Sequence, residues 1–123
     1  MVTIETRPNA YAADCPSRKI LDIIGDKWAS LIVLLLENQP KRFSELQRAI
    51  SGISHKMLTQ TLRELERNGL VNRTMYAEIP PRVVYNLTPL GQTLCEPINS
   101  VVNWSYSHLD ELTAAQGQYD ARK

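Results

Sequence analysis

The sequence predicts a mainly helical domain that carries one small β-hairpin. Apolar residues recur at helical spacing in several segments, and β-branched and aromatic residues cluster in two short runs. Between Arg42 and Leu87 these signals come in the order helix, turn, helix, hairpin. That order is typical of a winged helix-turn-helix, in which the second helix of the pair is built to enter a groove of DNA.

The first helix of the pair is predicted to run from Ser44 to Ile50. In a capping box, the N-cap hydroxyl accepts a hydrogen bond from the backbone N–H three residues later. The side chain of that later residue accepts in turn from the backbone N–H of the N-cap residue. Ser44 and Gln47 have this spacing, so Ser44 is expected to cap the helix. A turn is expected next, because the glycine-containing residues 51–53 interrupt the helical pattern.

The second helix is bounded by signals at both ends. Ser54 is an N-cap candidate, and Gly69 follows Asn68 at the position that favours a left-handed C-terminal cap. Between them, one helix face is apolar and another is polar and basic. The apolar face comprises Met57, Leu58, Thr61, Leu62 and Leu65, and the basic face comprises Lys56, Gln60, Arg63 and Arg67. The apolar face is expected to pack on the rest of the domain.

The hairpin is predicted from two runs, Leu70 to Tyr76 and Arg82 to Leu87, which are rich in β-branched and aromatic residues. Residues 77–81 separate them and include Pro80 and Pro81. Because proline cannot donate to a strand ladder, pairing is expected to stop there and leave an extended wing.

Three further helices are predicted as a framework. The first is opened by Asp14-Cys15-Pro16, with proline near its first position, and ended by Gly25. The second, Trp28 to Glu37, is apolar almost all round and is expected to form the buried centre. The third starts at Thr88-Pro89 and runs to about residue 112, and Pro97 is expected to kink it or split it in two.

The predicted organisation is an N-terminal arm at residues 1–13, one winged-helix domain at residues 14–112 that includes N- and C-terminal dimerisation helices, and a polar, frayed tail at residues 113–123. Apolar residues form stripes along the first and last helices of the domain. These stripes exceed what one small domain can bury, so a second copy of the chain is expected to cover them.

Length and composition fit a small intracellular protein. With 123 residues and 43% apolar content, the chain can bury one modest core. The longest apolar run, residues 31–36, is too short to cross a bilayer, and the N-terminus lacks a signal-peptide core. A cytoplasmic protein without a membrane partner is therefore expected. Its two cysteines lie far apart, without a CxxC motif or clustered histidines, so neither a metal site nor a disulfide scaffold is expected. No cofactor is expected.

The net charge of +1 hides an uneven distribution along the chain. Residues 1–40 carry four Lys/Arg and five Asp/Glu, residues 41–82 carry eight and four, and residues 83–123 carry two and four. The segment with the helix pair and the hairpin is therefore the basic one. Positive charge concentrated there is what contact with phosphates requires, although any exposed helix face also carries charge.

Double-stranded DNA is the expected partner, and the start of the second helix is expected to read base edges. The candidates are His55, Lys56, Thr59, Gln60 and Arg63. Among these, Gln60 and Arg63 are best equipped for bidentate hydrogen bonds to bases.

The remaining candidates are expected to contact the DNA backbone. Ser44 and Ser54 are predicted at helix N-termini, where hydroxyl and N–H groups can hold a phosphate, and Lys41 and Arg42 flank the first of them. Arg82 at the wing is expected to enter the minor groove or grip a phosphate. For the two serines capping alone is an equal alternative, and Arg67 is expected to pair with Glu64 or to be solvated.

Several strings in the chain resemble the HxlR-type winged-helix regulators of bacteria. They are Cys15-Pro16, Ile23-Ile24-Gly25-Asp26-Lys27-Trp28, Arg42-Phe43-Ser44-Glu45-Leu46, Ile53-Ser54-His55-Lys56-Met57-Leu58-Thr59, Leu62-Arg63-Glu64-Leu65-Glu66, Gly69-Leu70-Val71, Pro80-Pro81-Arg82-Val83-Val84-Tyr85 and Leu87-Thr88-Pro89-Leu90-Gly91. Their order and spacing over residues 15–110 carry the resemblance. It implies a homodimeric transcription factor with an architecture like that of the MarR type, dimerised through its first and last helices. Because such a dimer is two-fold symmetric, an inverted-repeat operator is expected.

Cys15 is the candidate for regulation. A helix N-terminus favours a thiolate, and Arg18 and Lys19 lie within a turn, although Asp14 opposes their effect. The resemblance adds that several family members respond to oxidants or electrophiles through a cysteine at this place. The alternative is a cysteine that packs as a small hydrophobe. Cys95 is expected to pack near the dimer surface.

The sequence disfavours two other classes of function. A winged helix used only for protein contacts would have an apolar or acidic outer face on its second helix, which the basic face contradicts. A thiol peroxidase built on Cys15 would need a base, an oxyanion donor or a resolving partner, and none is placed near it in sequence. An enzyme is therefore not expected.

Overall fold

The computed structural model describes residue 9 and residues 11–122. Within that part of the chain it contains α1 (Pro16–Gly25), α2 (Lys27–Leu35), β1 (Lys41–Arg42), α3 (Phe43–Ala49), α4 (His55–Arg67), β2 (Val71–Tyr76), β3 (Arg82–Leu87), α5 (Pro89–Ser107) and α6 (Leu109–Asp120). The predicted class, a mainly helical winged helix-turn-helix with extra terminal helices, is confirmed. Most of the predicted N-terminal arm lies outside the described residues.

Helix α4 forms where the sequence predicts it, because both of its ends are specified locally. The Ser54 hydroxyl accepts from the Met57 N–H at 3.0 Å. Gly69 has φ +74°, in the left-handed region that favours glycine. Leu58, Leu62 and Leu65 are at most 1% exposed, so the predicted apolar face is the packed one.

Helix α3 begins one residue earlier than predicted, and Ser44 is not its cap. Arg42 is the N-cap, and its backbone N–H donates to Oε1 of Glu45 at 2.8 Å. In the predicted box the acceptor at this position was the neutral side-chain amide of Gln47. The carboxylate of Glu45 is a stronger acceptor, since charge-assisted hydrogen bonds are stronger than neutral ones. Ser44 therefore lies inside the first turn, and the capping prediction for it is wrong.

The hairpin is confirmed, but it belongs to a three-stranded antiparallel sheet with the order β1-β3-β2. In the hairpin Val71 pairs with Leu87 and Tyr76 with Arg82. The added strand β1 pairs Lys41 with Tyr85. Two residues are too few to show a strand pattern in sequence, so only the pairing with β3 reveals β1.

The C-terminal helices differ from the prediction. Pro97 lies inside α5 and does not split it; the break falls instead at His108, whose ring stacks on Trp104 with centroids 4.7 Å apart. The tail predicted to fray from residue 114 is helical as far as Asp120. Asp110 and Glu111 in the first turn of α6 suit its N-terminus, because acidic residues there interact favourably with the helix dipole.

The core lies between α2, α4, the sheet and α5. Ile32 and Val33 of α2 are fully buried, but Leu31 on the same helix is 41% exposed. Helix α2 thus contributes to the buried centre as predicted, but one of its apolar faces remains exposed on the single chain. No helix in the described part of the chain is long and apolar enough to span a membrane.

The start of α5 is fixed against the end of α4. The Thr88 hydroxyl donates to the Gly69 carbonyl at 2.6 Å and accepts from the Gly91 N–H at 2.9 Å. The backbone of Gly91 approaches the carbonyl of Leu70 so closely that a β-carbon at Gly91 would overlap its oxygen. Glycine is thus required there by space, not by its φ.

Gly91→Ala is expected to destabilise the domain by about 1–3 kcal/mol, because backbone must shift to relieve the overlap with Leu70. Urea denaturation followed by circular dichroism would measure the loss. Gly117→Ala is the matched control: its β-carbon would meet nothing within 4 Å, so it should be neutral or stabilise α6 by up to about 1 kcal/mol. Equal midpoints for the two variants would contradict the packing argument.

Candidate nucleic-acid interface

The exposed face of α4 forms a shallow groove that gathers the predicted base-reading residues. The groove is lined by His55, Lys56, Thr59, Gln60, Arg63, Glu64 and Arg67. All five predicted readers therefore share one surface, opposite the buried leucines. Burial of the apolar face of α4 is what turns these side chains outward.

Two of the five readers also make contacts within the domain. The His55 ring lies 4.7 Å from the ring of Phe43 on α3, centroid to centroid. The Thr59 hydroxyl donates to the His55 carbonyl at 2.9 Å, which leaves its oxygen able to accept a further hydrogen bond. The side chains of Lys56, Gln60 and Arg63 make no hydrogen bond or ion pair with any residue in the described part of the chain.

The neighbouring arginines contrast with Lys56 and Arg63, because each of them is paired with a glutamate. Arg67 lies 3.8 Å from Glu64, Arg73 lies 3.9 Å from Glu66, and Arg82 lies 3.3 Å from Glu78, measured between nitrogen and oxygen. The Arg67–Glu64 pair is the alternative that the sequence favoured. Lys56 and Arg63 are thus the cations of α4 whose charge no described carboxylate pairs.

The phosphate-binding candidates lie on three neighbouring elements. Lys41 and Arg42 form β1 at the edge of the sheet, and the exposed Ser44 lies in the first turn of α3. Ser54 is at the N-terminus of α4, where its hydroxyl is already used as the cap. Arg82 begins β3 at the wing, where its guanidinium pairs with the carboxylate of Glu78.

A second, partly exposed cluster of residues beside the groove was not predicted. Thr59, Leu62, Arg63, Glu66, Arg73 and Tyr85 line a small cavity between α4 and the sheet. Burial raises the pKa of the Tyr85 phenol, and the charge of Arg73 opposes that rise. Because these residues come from α4, β2 and β3, no local pattern in the sequence could reveal that they meet.

The two cysteines are both free and buried. Cys15 is the N-cap residue of α1, but its side chain makes no capping hydrogen bond. Cys95 lies on α5, where burial and the nearby charge of Glu37 raise the pKa of its thiol. In the described part of the chain, no group of three or more His, Cys, Asp or Glu residues could hold a metal ion.

The three-stranded sheet, the capped second helix and its outward cationic face define the class of a winged helix-turn-helix regulator. The chain belongs to the HxlR-like helix-turn-helix family, whose model matches residues 23–113. The family resemblance predicted from the sequence is thereby confirmed.

Relatives and solved structures agree with that assignment. The chain is 40% identical over 110 residues to the HTH-type transcriptional regulator YtfH of Escherichia coli (strain K12), and the match covers 89% of this chain and 87% of the relative. The fold of this chain matches the structure of the transcriptional regulator ytfH from Salmonella typhimurium with a TM-score of 0.83 and 37% identity. That match covers 90% of this chain and 99% of the other. The fold also matches the redox regulator HypR in its reduced form with a TM-score of 0.75, 38% identity and coverage of 80% and 98%. The chain is accordingly a transcriptional regulator with a helix-turn-helix domain.

Proposed function

We propose that this regulator acts as a homodimer in the cytoplasm, binding an inverted-repeat operator in double-stranded DNA with α4 in the major groove. The observation that carries the proposal is the row formed by Lys56, Gln60 and Arg63. These three side chains are exposed and unpaired among the described residues, on the helix that the fold presents for base reading.

Each of the five candidate base-reading side chains has its own chemical role in this proposal. Arg63 presents two parallel donors that match O6 and N7 of guanine, and Gln60 presents a donor and an acceptor that match N6 and N7 of adenine. Lys56 supplies a point charge near the start of α4. His55 and Thr59 are left with weaker contacts, since each is partly used within the domain.

Backbone contacts would position these readers. Ser44, with Lys41 and Arg42 beside it, and the N-terminus of α4 after Ser54 offer hydroxyl, cationic and N–H donors to phosphates. Arg82 would add a contact from the wing. Such contacts set the register of the protein on the duplex and carry no sequence information themselves.

The homodimer is supported by apolar side chains that the single chain leaves exposed on its terminal helices. On α1 these are Ile20 and Leu21, and on α5 and α6 they are Val101, Trp104, Leu109 and Leu112, each between 38% and 56% exposed. Clusters of this size on a small domain are unfavourable in water and typical of an interface. A two-fold dimer that covers them would present two α4 helices and require a dyad-symmetric operator.

Regulation through Cys15 is supported by its position at the start of α1 and by the solved structures to which the fold is similar. HypR, a structural match, is a redox regulator solved in reduced and oxidised forms, and another match, YodB from B. subtilis, is solved after diamide treatment. Cys15 lies at the start of α1, beside the proposed dimer surface. An oxidant or electrophile that modifies its sulfur would add bulk there and displace α1.

Arg63→Ala is expected to weaken operator binding and to relax the preference for one base pair by about 1–3 kcal/mol, because the bidentate contact is lost. Competition binding with operator variants, after selection of the operator from random DNA, would measure this. Arg67→Ala is the matched control one turn along α4, since Glu64 already pairs its charge. If both variants lose affinity equally, Arg63 is not a base reader.

Light scattering of the purified protein is expected to give twice the monomer mass. Val101→Glu should yield a monomer, because a charge buried in the interface lacks a partner. Met75→Glu is the control, since Met75 is similarly exposed but lies on β2, away from the proposed surface. A monomer for the unmodified chain, or dissociation in both variants, would contradict the dimer.

Cys15→Ser is expected to keep operator affinity and to lose its response to diamide, because serine can cap α1 but has no reactive sulfur. Unmodified protein should change its operator occupancy under diamide, with Cys15 modified faster than Cys95, whose raised pKa disfavours the thiolate. Mass spectrometry would identify the modified residue. Unchanged occupancy after Cys15 is modified would refute the sensing role.

A further inference from the structure

The guanidinium of Arg82 is held inside the wing by two partners. Its Nη2 lies 3.3 Å from Oε1 of Glu78, and its central carbon lies 4.2 Å from the ring centroid of Tyr76. Tyr76 and Arg82 stand opposite each other in the register of β2 and β3. The sheet therefore fixes the stacking, and the cation already has an anionic and an aromatic partner before any DNA is present.

We propose that Glu78 is an internal competitor of DNA phosphate for Arg82, and that it lowers the affinity of the wing for DNA of any sequence. The inference rests on the proposed function, since it needs DNA as the second ligand. Carboxylate and phosphate oxygens bind a guanidinium in the same way. The N–H groups that face Glu78 cannot serve both, so a DNA contact by Arg82 requires an exchange of partners.

The contact between Arg82 and Glu78 is accessible enough for a phosphate to replace the carboxylate. Its side chain keeps 34% exposure and that of Glu78 keeps 52%, so a phosphate can approach both. Nε of Arg82 is buried and has no hydrogen-bond acceptor among the described residues. Glu78 thus satisfies the guanidinium incompletely, whereas a phosphate with several oxygens can accept from Nε and Nη2 together once the side chain moves out.

Arg73 provides a comparison within the same hairpin. It pairs with Glu66 of α4 and lines the same small cavity as the buried Tyr85. Removal of the Glu66 charge would leave Arg73 beside Tyr85, at the cavity between α4 and the sheet. Removal of the Glu78 charge would instead leave Arg82 with Tyr76 as its one remaining partner among the described residues, at the tip of the wing. The two glutamates therefore separate the release of one cation from the general effect of deleting a negative charge near DNA.

The test is a double-mutant cycle of Glu78→Gln and Arg82→Ala, with Glu66→Gln as the charge-matched control. Affinity for a duplex without the operator is measured by fluorescence anisotropy across a salt series. Glu78→Gln should raise that affinity about two- to fivefold per protomer. It should also steepen the slope of log K against log[salt] by up to roughly 0.9 per protomer, because Arg82 of the variant contacts a phosphate in a larger fraction of the bound molecules and so releases more counterions.

The cycle gives opposite outcomes for competition and for a general field effect. In the Arg82→Ala background, Glu78→Gln should have no effect, since the cation for which it competes is absent. Equal gains in both backgrounds, a gain with Glu66→Gln as large as with Glu78→Gln, or no gain at all would overturn the proposal. If the unmodified protein binds neither operator nor other duplexes, the proposed function fails instead. Thermal melts of every variant confirm that the fold is kept.

Discussion

The burial of one face of α4 is the constraint on which the interface depends. Leu58, Leu62 and Leu65 are almost fully buried against α2 and β2, and each contributes about 1.5–3 kcal/mol of apolar transfer energy. Because an α-helix has a fixed angular spacing of residues, burial of these leucines determines where every other α4 side chain points. The outward placement of Lys56 and Arg63 is therefore a consequence of core packing. It does not depend on any contact that these two side chains make within the domain.

Elements with local signals could be predicted from the sequence, and elements that depend on distant partners could not. Helix α4 has its cap at Ser54 and its stop at Gly69, so its bounds follow from residues within it. Strand β1 exists only because β3 pairs with it. The continuity of α5 through Pro97 also depends on tertiary packing: Cys95 and Ile98, on either side of it, are buried in the domain, and this burial offsets one lost backbone hydrogen bond.

The candidate site was predictable in its position but not in its electrostatics. The spacing of polar residues predicted that the five candidate base-reading residues share one face of α4, and in the structure all five line one groove. The charge count of residues 41–82 could not show that Arg67, Arg73 and Arg82 are each paired with a glutamate, since only the first of these pairs is local to a helix. The net charge of a segment indicates the long-range field that attracts DNA. Which of its cations can contact a phosphate directly depends on whether each one is already paired with a carboxylate.

Close packing also explains how the start of α1 can influence α4. The Ser30 hydroxyl on α2 donates to the Ile24 carbonyl at 3.1 Å, and Ile23 belongs to the same core as the α4 leucines. Protein interiors have few voids to absorb a displacement, so we expect a movement of Ile23 to be passed through the α2 core residues to α4. In the proposed dimer, that movement changes the separation of the two α4 helices, to which the spacing of operator half-sites is matched.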